Sequence, residues 1–259
     1  MIVRYRKTIL ILMLLLCRYA ANGTALDSIL QKANAYIKAQ QYEEAIKVLD
    51  KFKGNKNQPD IIYTKGIACV ELKRYDEAKK YFTALLSDTA SDYKAWFGLG
   101  LIESDNKKYN NALDYYTKSI KKKNDFTKAY AERANLYLNA FDDIENALSD
   151  LNKAIDFEKD DTGYVKLTSY LLRSTCYASL GFNRLALNDI NKVIAYNPRA
   201  ELPRLNRANI YAAKDIREYD SALTELAMLK NNTVIDKSLF INYVMSISIK
   251  AHTELQSIL

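Results

Sequence analysis

One spacing governs this chain. A small residue inside an apolar helical stretch is followed twelve residues later by alanine, and four residues after that by a large apolar residue. The sets are Ala33, Ala45, Leu49; Gly66, Ala78, Phe82; Gly100, Ala112, Tyr116; and Ser174, Ala186, Ile190. Two further sets, Ala134, Ala147, Leu151 and Ala208, Ala222, Leu226, carry one and two extra residues in the first gap. The small residues at 33, 66, 100, 134, 174 and 208 lie 33, 34, 34, 40 and 34 apart, a period of 34 with one insertion. Such a period marks a stack of supersecondary units, each too small to bury its apolar face alone. The small residue and the alanine let two helix backbones approach closely, and the large residue fills the space toward the neighbouring unit.

Composition agrees with helices. Seven glycines and three prolines in 259 residues leave too few turn-formers for a many-stranded sheet. A hydrophobic content of 49% is too high for a disordered chain. Short polar corners, such as Lys38 to Gln41, Lys73-Arg74 and Asn106 to Lys108, separate the helices of a pair.

The third copy reads Trp96-Phe97-Gly98-Leu99-Gly100-Leu101-Ile102-Glu103, and the chain here resembles the tetratricopeptide repeat family, whose pattern is W-x2-L-G-x2-Y, then A-x3-F, then P. The family's first-helix aromatic stands as Tyr36, Tyr137, Tyr177 and Tyr211, with Cys69 and Glu103 replacing it; its proline is Pro198. Tyr42, Tyr75, Tyr109 and Tyr219 supply a ring three residues before the second-helix alanine. The resemblance implies an all-α, right-handed α-solenoid of six helix-turn-helix repeats at 26–58, 59–92, 93–126, 127–166, 167–200 and 201–233, with a C-terminal capping helix in 234–259. Residues 156–166 hold most of the insertion and read as an extended corner. That acidic stretch is no calcium loop, because Asp161 stands where glycine is required and Leu167 where glutamate is required.

The two ends carry separate expectations. Arg4, Arg6 and Lys7, the apolar run Ile9 to Cys17, and the small residues Ala20 to Ala25 form the three zones of a secretory signal over residues 1–25. Cleavage after Gly23 or after Ala25 fits the small-x-small preference. Leu14-Leu15-Leu16-Cys17 resembles a bacterial lipobox, in which Cys17 would be lipidated, although Leu16 is large where that motif has a small residue. Ordinary cleavage is the default, and the expected location is the periplasm or surface of a bacterium; Asn231-Asn232-Thr233 leaves a eukaryotic secretory route open. In the terminal helix, Leu239, Tyr243, Ile247 and Ala251 recur at helical spacing and cover the last repeat, while Ile241, Met245 and Ile249 fall off that stripe, where a homodimer contact would form.

Charge and motifs narrow the function. The net charge of +7 falls to +3 once Arg4, Arg6, Lys7 and Arg18 are set aside, with 34 lysines and arginines against 31 acids, so no nucleic-acid partner is expected. His252 is the only histidine, and no phosphate-binding glycine loop occurs; no catalytic site, metal or cofactor is expected. Cys69 and Cys176 sit in apolar helical patterns and read as buried structural thiols.

A partner protein or peptide is therefore the expected ligand, held in the concave groove that the first helix of each repeat lines. Family geometry implies Leu30, Asn34, Tyr63, Ile67, Val70, Phe97, Leu101, Asn135, Thr175 and Asn209 as groove residues, with Leu171 and Leu205 divided between groove and core and Lys94 and Lys128 at the edge. The family's carboxylate clamp cannot be assembled, since Asn34 is followed by Thr64 and Gly98 at the next clamp positions. Arg133, Arg173 and Arg207 recur at one position, either as an anion-binding row or paired with neighbouring acids. The overall expectation is a non-catalytic exported scaffold, or alternatively a structural subunit of a bacterial envelope assembly tethered through Cys17.

Overall fold

A computed structural model describes residues 25–53, 55, 58–160, 163–229 and 245–250. Cys17 and nearly all of the signal reading, together with Asn231 to Thr233, Ile241 and His252, lie outside the described residues. Those described are helical throughout: α1 (25–38), α2 (Tyr42–Asp50), α3 (Pro59–Glu71), α4 (Tyr75–Leu85), α5 (Asp92–Asp105), α6 (Tyr109–Lys122), α7 (Thr127–Ala140), α8 (Ile144–Phe157), α9 (Tyr164–Ser179), α10 (Asn183–Tyr196), α11 (Glu201–Tyr211), α12 (Tyr219–Leu229) and α13 (245–250). No strand occurs among them. The chain divides into two compact units, Met1–Asn124 and Asp125–Leu259. Three hairpins, α1/α2, α3/α4 and α5/α6, make up the first; α7/α8, α9/α10, α11/α12 and α13 make up the second.

In the first unit the periodic residues form the helix interface, with Ala33, Ala45, Leu49, Ala78, Phe82 and Ala112 fully buried. The Phe82 ring is wedged against Gly66 of its own hairpin and Gly98 of the next. A Cβ at Gly66 would stand 2.6 Å from that ring, and one at Gly98 would collide with it as well. Tyr116 closes on Gly100 in the same manner, 2.5 Å from where a Cβ would be. Glycine is thus required here by the approach of an aromatic ring, and each ring buries on the order of 150–250 Å2 by filling that space.

The second unit uses alanine and serine where the second and third hairpins of the first use glycine. Ala134, Ala147, Leu151, Ser174, Ala186, Ile190, Ala208 and Ala222 are buried, and Ser174 Oγ donates to the Ala186 carbonyl at 2.9 Å, so its hydroxyl is satisfied inside the helix contact. The insertion expected as a corner at 156–166 is shared between loop and helix. Asp156 and Phe157 close α8, whereas Tyr164, Val165 and Lys166 open α9, which is 16 residues long. On the last hairpin Ile247 of α13 packs against Leu205, Ala208, Leu226 and Leu229, while Met245 and Ile249 are exposed.

Every hairpin corner uses one backbone device. A single residue with positive φ stands five positions before the second-helix alanine: Gln40, Lys73, Lys107, Asp142, Gly181 and Arg217. The next amide donates to a first-helix carbonyl, as in Arg74 to Cys69 and Lys108 to Glu103, both 2.8 Å, and Lys73 donates to Val70 at 2.8 Å. Together these bonds are the Schellman closure of a helix C-terminus. One- and two-residue insertions widen the corner without changing the carbonyl used, since Asp143 reaches Tyr137 and Glu218 reaches Tyr211, both at 2.9 Å. Five of the six left-handed residues carry a side chain and therefore bear a steric cost that glycine avoids.

Two substitutions should act in opposite directions. Lys107→Gly is expected to stabilise the protein by about 1 kcal/mol, and Gly98→Ala to destabilise it by about 1–3 kcal/mol through collision with Phe82. Urea unfolding midpoints measure both; a neutral Gly98→Ala would contradict the interlock.

Candidate functional site

In the first unit the candidate positions part into surface and core. Asn34 is exposed, and Leu30, Tyr63, Ile67 and Leu101 are half-buried. Val70 and Phe97, expected in the groove, are each only 4% exposed and belong to the core. The Phe97 ring centroid lies 5.8 Å from that of Tyr116, and Tyr63 lies 6.3 Å from Phe82. The residue three positions before the small residue thus leans onto the large second-helix ring, which withdraws it from a ligand. At the start of α3 and α5, Asp60 and Lys94 form an ion pair one period apart. Lys94 Nζ also lies 5.7 Å from the Tyr63 ring centroid. That edge cation is already neutralised within the chain.

The arginine row of the second unit is internal. Arg133 Nε and Nη2 donate to Asp150 at 2.7 and 2.8 Å, and Arg173 Nε and Nη2 donate to Asp189 at 2.7 and 2.9 Å. Glu225 receives Arg207 and, at 2.6 Å, Arg204. The three acids are nearly buried; Asp150 and Asp189 each meet one guanidinium fork to fork, whereas Glu225 takes one nitrogen from each of two arginines, all in a poorly hydrated site. Tyrosines flank the guanidinium groups: Arg173 lies 5.5 Å from the Tyr170 centroid and 5.7 Å from Tyr177. The hydrogen bond to Asp189 holds Arg173 above the usual arginine pKa, against the opposing effect of burial. Pairing with neighbouring acids, which the sequence favours over an anion-binding row, is the arrangement seen.

A sequence signal for these pairs exists. The arginine precedes the small residue by one, and the acid follows the second-helix alanine by three. In the first unit those positions hold Lys32 and Val48, Lys65 and Tyr81, Leu99 and Tyr115. Without an acid at that position, Lys65 turns to Asp50 at 2.5 Å, and its ammonium lies 6.0 Å from the Tyr81 ring.

A polar cleft of about 390 Å3 opens in the second unit between α9, α11 and α13. It gathers Thr175 and Asn209, two of the expected groove residues, with Ser174, Ser179, Asn183, Asn206 and Lys250. Thr175 Oγ1 donates to the Leu171 carbonyl at 3.1 Å, and the Asn183 amide donates to Asp215 at 2.6 Å. Asn135 is exposed elsewhere on the unit and accepts the Asn139 amide at 2.6 Å. Leu171 is half-buried and Leu205 is 7% exposed, so the latter serves the core. Asn183 and Lys250 were not evident in the sequence, because only packing brings the start of α10 and a helix beyond the repeats to this cleft; Asn206 lies on α11 and was passed over.

Comparison with known proteins agrees with the hairpin geometry. A family model described as anaphase-promoting complex, cyclosome, subunit 3 matches residues 4–85, and a tetratricopeptide repeat model matches residues 63–125. The chain is a tetratricopeptide repeat protein. Its fold is similar to that of PilF of Pseudomonas aeruginosa, at TM-score 0.65 and 11% identity, covering 89% of this chain and 99% of that one. It is also similar to YrrB, described as a TPR protein with an unusual peptide-binding site, at TM-score 0.55 and 19% identity, covering 78% and 96%. Yeast Tom70 matches at TM-score 0.62 and 18% identity over 81% of this chain and 44% of its own. At these identities the likeness is one of fold. No curated protein sequence matches. Tetratricopeptide repeats generally serve as protein-binding scaffolds.

The two described thiols are structural. Burial pushes both Cys69 and Cys176 up to about 11, with Glu77 adding to the effect at Cys69, so both stay protonated and unreactive near pH 8. Iodoacetamide at pH 8 should label neither until denaturant is added. Asp189→Ala should cost about 3–5 kcal/mol by leaving Arg173 without its partner, whereas Arg173→Met combined with Asp189→Leu should recover most of that loss. Urea unfolding checks the pair, and an Asp189→Ala variant as stable as wild type would show the ion pair to be idle.

Proposed function

We propose that this repeat protein is an exported, non-catalytic scaffold that holds a segment of a partner protein on the first-helix faces of its hairpins. The observation that carries this reading is the cleft of the second unit, where Thr175 and Asn209, at equivalent positions of successive repeats, line one cavity with Asn183 and Asn206. Amide and hydroxyl side chains both donate and accept, which suits the backbone of an extended peptide independently of its sequence. Export rests on the basic, apolar and small-residue zones of residues 1–25. Leu14-Leu15-Leu16-Cys17 favours a second reading, a subunit of an envelope assembly held at the membrane by a lipid on Cys17.

Thr175→Glu with Asn209→Glu places two charges on exposed positions and should leave the helical circular dichroism and melting temperature near wild type. Cross-linking and capture from envelope extracts should then lose the partner recovered by the wild-type chain. Equal recovery by the folded double variant removes the cleft from the binding surface. Intact-mass analysis of the mature protein separates the two readings of the N-terminus: a start near Thr24 or Leu26 supports simple export, and acylated Cys17 supports tethering.

A further inference from the structure

We propose that the helix beyond the repeats is part of the binding site, and that Lys250 gives the second-unit cleft a preference for peptide segments that carry a carboxylate. This deepens the peptide-binding reading above and rests on it. Of the residues lining the cleft, Lys250 alone is charged; none is acidic. Four other candidate cations of the described groove regions are occupied. Lys94 is paired with Asp60, and Arg133, Arg173 and Arg207 are paired with Asp150, Asp189 and Glu225. Among the described residues Lys250 has no carboxylate partner.

The remaining lining selects a peptide over a bare anion. An inorganic anion only accepts hydrogen bonds, so it is repelled by oxygen atoms that themselves accept. Thr175 has already committed its proton to the Leu171 carbonyl, and Asn183 has committed an amide proton to Asp215; both bring acceptor oxygens to the cleft. Asn206 and Asn209 line the cleft with amides that offer donors and acceptors together. A peptide backbone presents N–H and C=O groups in alternation and can use both kinds. Its carboxylate, from an Asp or Glu side chain or from a free C-terminus, then meets Lys250. A charge-assisted bond at a half-open site corresponds to a modest gain, about three- to tenfold in affinity.

The test uses the full chain and a randomised pool of seven-residue peptides, presented once with free C-termini and once with amidated ones. Wild-type protein should enrich carboxylate-bearing sequences. Enrichment only in the free pool assigns the C-terminal carboxylate; enrichment of Asp and Glu in the amidated pool assigns the side chain. For the best peptide, Lys250→Gln should weaken binding about three- to tenfold and reduce its salt sensitivity. Lys250→Arg should retain binding, and the Asp-to-Asn or amidated form of the peptide should bind wild type and Lys250→Gln equally. If Lys250→Gln, with an unchanged melting temperature, binds the acidic peptide as wild type does, the proposal is overturned. Selection of neutral peptides that Asn209→Glu abolishes would also overturn it while leaving the peptide-binding reading intact. Failure to enrich any peptide overturns both.

Discussion

The close approach of an aromatic ring to backbone without side chains is the constraint on which the first unit depends. Phe82 can occupy the space between α3 and α5 only because Gly66 and Gly98 expose their backbones to it. That contact sets the separation of the two hairpins, and with it where Ile67 and Leu101 come to the surface. It also explains why Phe97 is withdrawn. The residue one turn before Gly100 points along the same interlock and meets Tyr116, so a position assigned to the groove from family geometry becomes part of the core.

The second unit meets the same packing requirement with different chemistry. Alanine and serine stand where the second and third hairpins have glycine, and a buried arginine–carboxylate pair spans each hairpin. Such pairs contribute little net stability over an apolar pair of the same shape, but losing one partner leaves a desolvated charge, so they enforce register strongly. Arginine therefore appears one residue before the small position only in the three hairpins whose second helix carries an acid three residues after its alanine. With these charges internal, the cleft of the unit is lined mainly by amides, hydroxyls and Lys250 and carries little fixed charge.

Periodicity made the interlocked positions legible because a 34-residue repeat forces the same contact to recur. The corners were legible only as polar interruptions. Their left-handed residues, Gln40, Lys73, Lys107, Asp142 and Arg217, have no shared side chain to reveal them, since the closure is made by backbone amides and carbonyls. For the same reason Cys69 and Glu103 can replace the family tyrosine at the carbonyl that closes the corner. Exposure was legible in part: Thr175 and Asn209 are at the surface and line one cleft, whereas Val70 and Phe97 are buried. Helical spacing places residues on a face but does not say whether a neighbouring helix covers it.

What the sequence determined by itself is the architecture: spacing, small residues and ring positions admit helix hairpins in six copies and little else. Tertiary structure alone decided which members of each face are left for a ligand. That choice depends on distances between hairpins, on the direction in which Arg133, Arg173 and Arg207 turn to reach buried acids, and on where the helix after the last repeat settles. Ile247 anchors that helix on the last hairpin, and through it Lys250 reaches the amide cleft. No repeat spacing encodes that last placement, because the helix lies outside the period.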